Sequence, residues 1–246
     1  VLFNYNITLR QRMQKALDLY QGFHSIYLDQ SLNLQFSNPA SLKFQPQILN
    51  ITKKIADDVA MTFKNGLSVV AVNEADQDII DEIVDSSNFD SVLQDVDRKC
   101  FLVKNCFVKV NYIQKPDETQ GQIKLDVVTP QYVEVTSPSY NPYDFNSIIY
   151  PKLITYPSIE MPKGIFCYWD ADTFRLIDEA GNTISNPDNI ENINPYSPEI
   201  PLVIFREALP SEGIFFNFMP EDLINAQDSV NVKLTMLNQL IKLQSF

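Results

Sequence analysis

The sequence predicts an α+β fold, with a helical N-terminal part, a central antiparallel β-rich block and a long C-terminal helix. Three observations lead to this prediction. Through the first hundred residues, apolar side chains recur at three- and four-residue spacing, as on one face of a helix. From Cys106 they alternate with polar ones over a short stretch, as in a half-buried strand. After residue 220 the helical spacing returns, and separate runs of helices and strands are typical of α+β proteins.

Helices dominate the first part of the chain. In order, the predicted segments are a helix over 7–20, a polar irregular stretch over 24–45, a helix over 46–64, a β-like run over 67–72, an acidic surface helix over 76–84 and a helix over 89–103. Gly22 and Gly66 follow the first and second of these helices. Glycine commonly ends a helix because it adopts the left-handed backbone conformation at no steric cost.

The central block is predicted to contain short strands joined by turns rich in proline and asparagine. The predicted strands cover 106–112, 122–128, 132–136, 166–170, 173–178 and 200–205. Residues 166–178 are expected to form a hairpin around Ala171-Asp172. The stretches 137–163 and 185–199 are rich in Pro and Asn, so both are expected to be loops, the first with an apolar insert at 147–150.

The final helix is predicted to begin at residue 220 and to continue to residue 246. Glu221 and Asp222 place negative charge at its N-terminus, where the helix dipole favours it. One apolar stripe follows, from which we predict these subunit-interface residues: Leu223, Val230, Leu234, Leu237 and Ile241. No C-cap signal follows the stripe. We therefore expect a domain over 1–219, and over 220–246 the start of a longer helix that leaves the body of a longer protein.

The composition indicates a soluble globular protein that does not wrap nucleic acid. Hydrophobic residues make up 45% of the chain and charged residues 20%, and the formal net charge is −12. Phosphate contacts need Lys and Arg, so an acidic chain is a poor nucleic-acid binder. A passage through which DNA moves without adhering remains compatible with this charge. The sequence has no apolar run long enough to predict a membrane span.

No catalytic, metal or cofactor site is predicted. The single histidine, His24, follows a helix-ending glycine, and the three cysteines lie among apolar residues, as buried reduced thiols do. A less favoured alternative is a metal-dependent hydrolase that uses Asp170, Asp172 and the carboxylates of residues 76–85. Carboxylates spread along a helix do not converge on a cation, however, and Asp170 and Asp172 also favour a turn.

Several segments, in this order along the chain, together resemble one protein family. They are LDLYQGFH at 17–24, NITKKIADDVAMTFKNG at 50–66, RKCFLVKNCFVKVNY at 98–112, LDVVTPQYVEV at 125–135 and IPLVIF at 200–205 with the helix over 221–246. The chain resembles phage portal proteins, in particular the head–tail connectors of siphophages of Gram-positive hosts. Lys104-Asn105-Cys106 departs from the pattern, since the family often has a second aromatic residue or glycine near there.

The resemblance implies a wing-like domain of a ring-forming structural subunit without a catalytic site or cofactor. In the family, twelve copies surround a channel at one capsid vertex, and a terminase motor drives double-stranded DNA through it without sequence-specific binding. The implied partners are other copies of the chain, the capsid protein, the terminase and a head–tail adaptor. The implied location is the virion, assembled in the host bacterial cytoplasm. A different virion or tail structural protein, or an interaction scaffold, is the alternative.

Overall fold

A computed structural model describes residues 7–36, 44–113, 121–156, 162–210, 215–216, 219 and 221–245. Its helices are α1 (Ile7–Gln21), α2 (Ser25–Gln35), α3 (Ile51–Val59), α4 (Gln77–Ser86), α5 (Phe89–Val103) and α6 (Asp222–Gln244). Its strands are β1 (Asn105–Ile113), β2 (Gln122–Val128), β3 (Glu134–Thr136), β4 (Ser147–Tyr156), β5 (Lys163–Asp170), β6 (Phe174–Ile177), β7 (Thr183–Ile184) and β8 (Leu202–Arg206). Helices, antiparallel sheets and a C-terminal helix follow one another, which confirms the predicted α+β class.

Helix α1 ends as the sequence predicts, at Gly22. This glycine has a φ of 95°, and its N–H donates to the carbonyl of Leu19 while the N–H of Phe23 donates to that of Asp18. These two bonds form a Schellman motif, which satisfies carbonyls that the helix itself leaves without a partner. The motif turns the chain directly into α2.

Helix α2 overturns the prediction that residues 24–45 are irregular. It places Leu28 and Leu32 four residues apart on one buried face. Both pack against Val232 of α6, with Phe36 and Phe44 at the edge of the cluster. Because most residues between Leu28 and Leu32 are polar, the sequence shows no clear apolar stripe here. The contact with α6 stabilises the segment as a helix.

Helix α3 is shorter than the predicted 46–64. Asn50 caps it by accepting a hydrogen bond from the N–H of Lys53, and the helix ends at Val59. The apolar residues outside it, such as Ile48, therefore do not belong to a helical face. The predicted β-like run over 67–72 belongs to no strand among the described residues, and Val72 lies at a bend. Helices α4 and α5 agree with the predicted segments within two residues.

Two antiparallel sheets form the β-rich block. The first has the strand order β2-β1-β8 and the second the order β3-β4-β5-β6-β7. The hairpin of β5 and β6 was predicted. Strand β4 was not: the apolar insert expected at 147–150 extends to a ten-residue strand, because it pairs along its length with β5. Pro130–Tyr132 is a 3-10 turn, so the strand predicted over 132–136 begins at Glu134.

The core lies between α1, the β1 strand and the second sheet. Phe107 on one face of β1 packs with Met13 of α1 and Ile148 of β4. Cys106 and Val108 on the other face pack against Val96 of α5. Because successive strand residues point to opposite faces, β1 is covered on both sides. Arg10, buried in the same region, donates to the carbonyls of Gln131 and Val133, each at 2.8 Å, and so joins α1 to the turn before β3.

Candidate assembly interface

Helix α6 is the candidate site, because it carries all five predicted interface residues. Its N-cap is Glu221, and Asp222 lies in its first turn. The start predicted at residue 220 falls outside the described residues. Leu223 packs against the main core, and Val230 and Leu234 are partly buried by the chain itself. Leu237 and Ile241 are exposed.

The buried residues of α6 include a polar row beside the apolar Ile224 and Val232. Gln227, Asn231 and Thr235, spaced four residues apart, have 0%, 2% and 0% of their surface exposed. We call these three residues the polar seam. The extended residues 44–50, which we call the strap, run along the seam just before α3. Buried polar side chains need hydrogen-bond partners, and the strap supplies its backbone for this purpose.

The bonds between seam and strap follow a regular pattern. The N–H of Gln47 donates to Thr235 Oγ1 at 2.9 Å, and the N–H of Leu49 donates to Asn231 Oδ1 at 3.0 Å. The N–H of Ile51 donates to Gln227 Oε1 at 2.8 Å.

This pattern also fixes the register of α6. Every second residue from Gln47 to Ile51 thus bonds to every fourth residue of α6. The two segments run in opposite directions. From Gln47 to Leu49 two extended residues advance about 6.6 Å, and from Thr235 to Asn231 four helical residues advance about 6 Å, so the two spacings match. The match sets the position of α6 along its axis.

Gln227 forms the strongest part of the seam. Its Oε1 accepts from the N–H of Ile51 and, at 2.9 Å, from that of Thr52, and its Nε2 donates to the carbonyl of Leu49 at 2.6 Å. Apolar spacing, from which the interface residues were predicted, does not indicate these polar residues. The signal was present: Gln227, Asn231 and Thr235 recur at the same helical spacing as the apolar stripe.

His24 lies against the middle of the seam. It is 1% exposed, and its Nδ1 is 3.4 Å from the amide Nδ2 of Asn231. Burial lowers the pKa of His24, and the negative charge of Asp228 opposes this effect only in part. The ring is therefore held neutral, and it packs as part of the attachment of α6 rather than as a catalytic base.

Two ion pairs attach the first half of α6 to α1. Lys15 Nζ lies 2.5 Å from Asp228 Oδ2, and Arg12 pairs with Glu221. All four side chains are partly exposed, so each pair contributes little to stability. They do orient α6, because both partners on α1 lie on its side toward α6. Together with the α2 cluster and the seam, they hold the helix from three sides.

The last turns of α6 expose a group of apolar side chains. Leu237, Leu240, Ile241 and Leu243 are 52%, 54%, 55% and 67% exposed, and we call them the apolar tip. Leu240 and Ile241 lie three and four residues after Leu237, so these three share one face. Leu240 and Leu243 were not among the predicted interface residues. A rigidly held helix whose end exposes several large apolar side chains is suited to packing against another protein surface.

The residues of the alternative hydrolase site are not brought together. Asp170 Oδ1 accepts from the N–H groups of Asp172 and Thr173, and its Oδ2 accepts from the hydroxyl of Tyr168. Burial tends to raise the pKa of Asp170, but these hydrogen bonds lower it below its ordinary value. The carboxylate thus serves the turn, as the sequence predicts. The carboxylates of residues 76–85 lie on α4, which packs on β2 of the other sheet.

The described part of the chain offers no metal site and no membrane-spanning helix. No three His, Cys, Asp or Glu side chains within it are grouped so that they could hold a metal ion. None of its helices combines the length and the apolar character needed to cross a bilayer. The three cysteines are buried free thiols, with Cys100 and Cys106 3.4 Å apart between sulfur atoms.

Comparison with known families gives one extensive match. The family model described as "Phage portal protein, SPP1 Gp6-like" matches residues 2–244. The matched region includes the core, the strap and all of α6. A comparison with curated proteins found no match.

Proposed function

Since the chain belongs to the SPP1 Gp6-like family of phage portal proteins, we propose that copies of it form a ring through which DNA enters and leaves the capsid. Portal proteins are structural components of the virion, and the role of this chain is structural. Its wing-like body covers residues 1–219, and the segment over 220–246 leads toward the channel. The ring contains about twelve subunits, as the resemblance to the family implies.

One observation carries the proposal: α6 is fixed in position while its apolar tip is uncovered. The seam and strap fix the register of the helix, so the tip has a defined orientation relative to the body. Because the apolar tip has the same orientation in every copy, it meets the same surface on each neighbouring copy. When copies contact one another through two different surfaces, a repeated rotation that adds up to a full turn closes into a ring.

Burial of the apolar tip between subunits supplies a driving force for assembly. Leu237 and Ile241 are each about half exposed in the single chain. Removing a large aliphatic side chain from water stabilises the buried state by about 1.5–3 kcal/mol when burial is complete. Several such side chains in each of many identical contacts add up to a stable ring.

The charge of the chain suits a passage for DNA. With a formal net charge of −12, the surface repels phosphate over most of its area. DNA therefore moves past it without the salt-dependent binding that Lys- and Arg-rich surfaces show. The force for packaging comes from a terminase motor, and the ring later joins the capsid to a tail through an adaptor protein. The subunit itself catalyses no reaction and needs no cofactor.

We test the proposal with substitutions in the tip. Leu237→Asp combined with Ile241→Asp is expected to abolish rings of the protein expressed from its complete gene, since a buried unpaired carboxylate strongly opposes association. Leu34→Asp is the matched control, because Leu34 of α2 is 88% exposed. Sedimentation velocity and native mass spectrometry measure the assembly state, and thermal unfolding measures the stability of each subunit.

The expected result separates assembly from folding. The tip variant loses rings and retains the melting temperature of the unassembled chain, whereas the control keeps both. Leu234→Asp is expected to lower both quantities, because Leu234 is already partly buried by its own chain. Rings that persist in the tip variant would show that these side chains are not at the interface.

A further inference from the structure

The first sheet has an open edge at β8. This strand pairs with β1 on one side, and no described strand pairs with it on the other. The N–H of Val110 donates to the carbonyl of Pro201, which fixes the alternation of the ladder. By that alternation, Val203 and Phe205 exchange hydrogen bonds with β1, and the N–H and C=O of Ile204 point to the open side.

A groove of about 700 Å³ runs along this open edge. One wall is β8, from Leu202 to Ile204, and the facing walls come from residues 144–146, 170–173 and 198–200. The groove therefore lies between the edge of the first sheet and the adjacent end of the second, where β4 begins and β5 ends. A cleft beside an unpaired strand accommodates an extended chain, whose backbone continues the ladder.

The groove is acidic. Asp144, Asp170, Asp172 and Glu199 line it, and no Lys or Arg is among its described lining residues. Asp170 is occupied by its turn. In the described part of the chain, the carboxylates of Asp172 and Glu199 have no hydrogen-bond or ion-pair partner. An extended occupant with basic side chains would place positive charge beside them, and such complementarity selects among partners.

We propose that the groove binds an extended, lysine- or arginine-bearing segment of another protein as an additional strand on β8. The backbone of Ile204 provides the hydrogen bonds, the aliphatic wall of β8 contacts apolar side chains of the segment, and the carboxylates pair with its basic ones. This site is separate from the apolar tip, because it lies on the sheets rather than on α6.

A second copy of the chain is a poorer occupant. Edge strand β2 of such a copy carries one lysine, Lys124, which already pairs with Asp126. The other basic candidate is the β4–β5 ribbon, which carries Lys152 and Lys163. That ribbon contains Pro151, which has no N–H to donate, and two register shifts. Proline and bulges are features by which proteins prevent pairing at a strand edge. The open edge and its acidic groove therefore favour a different protein.

The experiment uses a synthetic peptide of alternating lysine and valine, eight residues long, with a fluorescent label and blocked ends. Binding to the chain is followed by fluorescence anisotropy. We expect saturable binding that weakens as NaCl is raised. The same peptide with N-methyl groups on alternate backbone nitrogens keeps its charge but has no N–H donors along one edge. It is expected to bind much more weakly. A peptide of alternating glutamate and valine is expected not to bind.

Two sets of variants test the two parts of the site. Ile204→Pro removes the outward N–H without removing a bond to β1, and it is expected to weaken peptide binding roughly fivefold, the effect of one net backbone hydrogen bond. Ile204→Val, which keeps the N–H, is its control. Asp172→Asn with Glu199→Gln is expected to weaken binding at least about threefold.

The control for the charge variant removes the same charge elsewhere. Asp78→Asn with Glu82→Gln acts on exposed residues of α4, beside the opposite edge of the sheet, and is expected to leave binding unchanged. Equal weakening by both charge pairs, equal affinity for the N-methylated peptide, or no binding of the lysine peptide would each overturn the proposal. Self-association of the chain that Ile204→Pro abolishes would assign the edge to a second copy instead.

Discussion

Gln227 supports the backbone of three residues with one side-chain amide. The groups it satisfies are the N–H of Ile51, the N–H of Thr52 and the carbonyl of Leu49. These groups lie where the strap enters α3, and a helix N-terminus always leaves N–H groups without internal partners. Gln227 therefore acts as a cap supplied from another helix, and it couples the start of α3 to the position of α6.

Replacing the Gln227 side-chain amide is expected to lower the stability of the folded chain. Gln227→Leu removes all three bonds and leaves the buried N–H of Thr52 without a partner, whereas the N–H of Ile51 still donates to the carbonyl of Leu49. The free energy of unfolding should fall by about 2 kcal/mol. Gln244→Leu, the same substitution at an exposed position of α6, is the control and should change it by less than about 0.5 kcal/mol. Urea unfolding followed by circular dichroism measures both. Similar values for the two variants would mean that water replaces the lost partner.

His24 makes stability depend on pH above the range where carboxylates titrate. Its pKa in the folded chain lies below the ordinary value because the ring is buried. As pH falls through about 6.5, the unfolded chain binds a proton that the folded chain binds only at lower pH, so stability decreases on acidification. The single histidine of the sequence makes the effect easy to assign.

The expected result is a melting temperature that falls between pH 7.5 and pH 5.5. In His24→Gln, which cannot titrate in this range, the fall should be much smaller. Thermal unfolding monitored by circular dichroism at constant ionic strength provides the comparison. An unchanged slope in the variant would show that the pH dependence has another source.

At the scale of elements, the end of α1 depends on one backbone conformation. Gly22 has a φ of 95°, and a Cβ added to it would meet no atom within 4 Å. Any loss in a substituted chain is therefore conformational rather than a steric clash. Gly22→Ala is expected to lower the free energy of unfolding by about 1 kcal/mol, and Gly22→Asn by less, since asparagine tolerates this conformation.

Chemical denaturation of the two variants tests this ordering. The same free energy of unfolding for both variants and the parent chain would show that the turn adopts another conformation without loss. A large decrease in the free energy of unfolding of both variants would show that the turn makes a contact that a side chain at residue 22 disrupts.

The segment over 67–72, predicted as a β-like run, is held by a side chain of α4 and belongs to no strand among the described residues. The N–H of Ala71 donates to Gln77 Oε1, and Gln77 Nε2 donates to the carbonyl of Val69. A side chain of α4 thus takes the place of a neighbouring strand on one side. Val69, Val70 and Val72 favour a strand, but within the described residues no strand pairs with the segment.

At the scale of the whole molecule, net charge sets how the proposed ring responds to salt. Each copy carries a formal net charge of −12, so neighbouring copies repel one another, and added salt screens this repulsion. Contacts through the apolar tip are insensitive to screening. The fraction of the protein in rings is therefore expected to rise between 0.05 M and 0.5 M NaCl, as measured by sedimentation velocity. Rings that dissociate in salt would indicate that ion pairs between subunits dominate.

Local spacing determined much of this fold directly from the sequence. Helices α1, α4, α5 and α6, and strands β1 and β2, follow repeats that a single element displays by itself. The termination at Gly22 and the turn at Asp170 are equally local, because both depend on backbone preferences of a few neighbouring residues. The apolar spacing also predicted that residues after 220 form a helix, but not which of its apolar residues are exposed.

Only the tertiary structure decided how distant segments meet. Arg10 and Gln227 bond to backbone groups more than 120 residues away in the chain, and no local pattern reports such partners. Helix α2 and most of β4 form because α6 and β5 lie beside them. The physical reason is that spacing reveals which face of an element is apolar, whereas hydrogen bonds between separate segments depend on the packed arrangement of the whole chain.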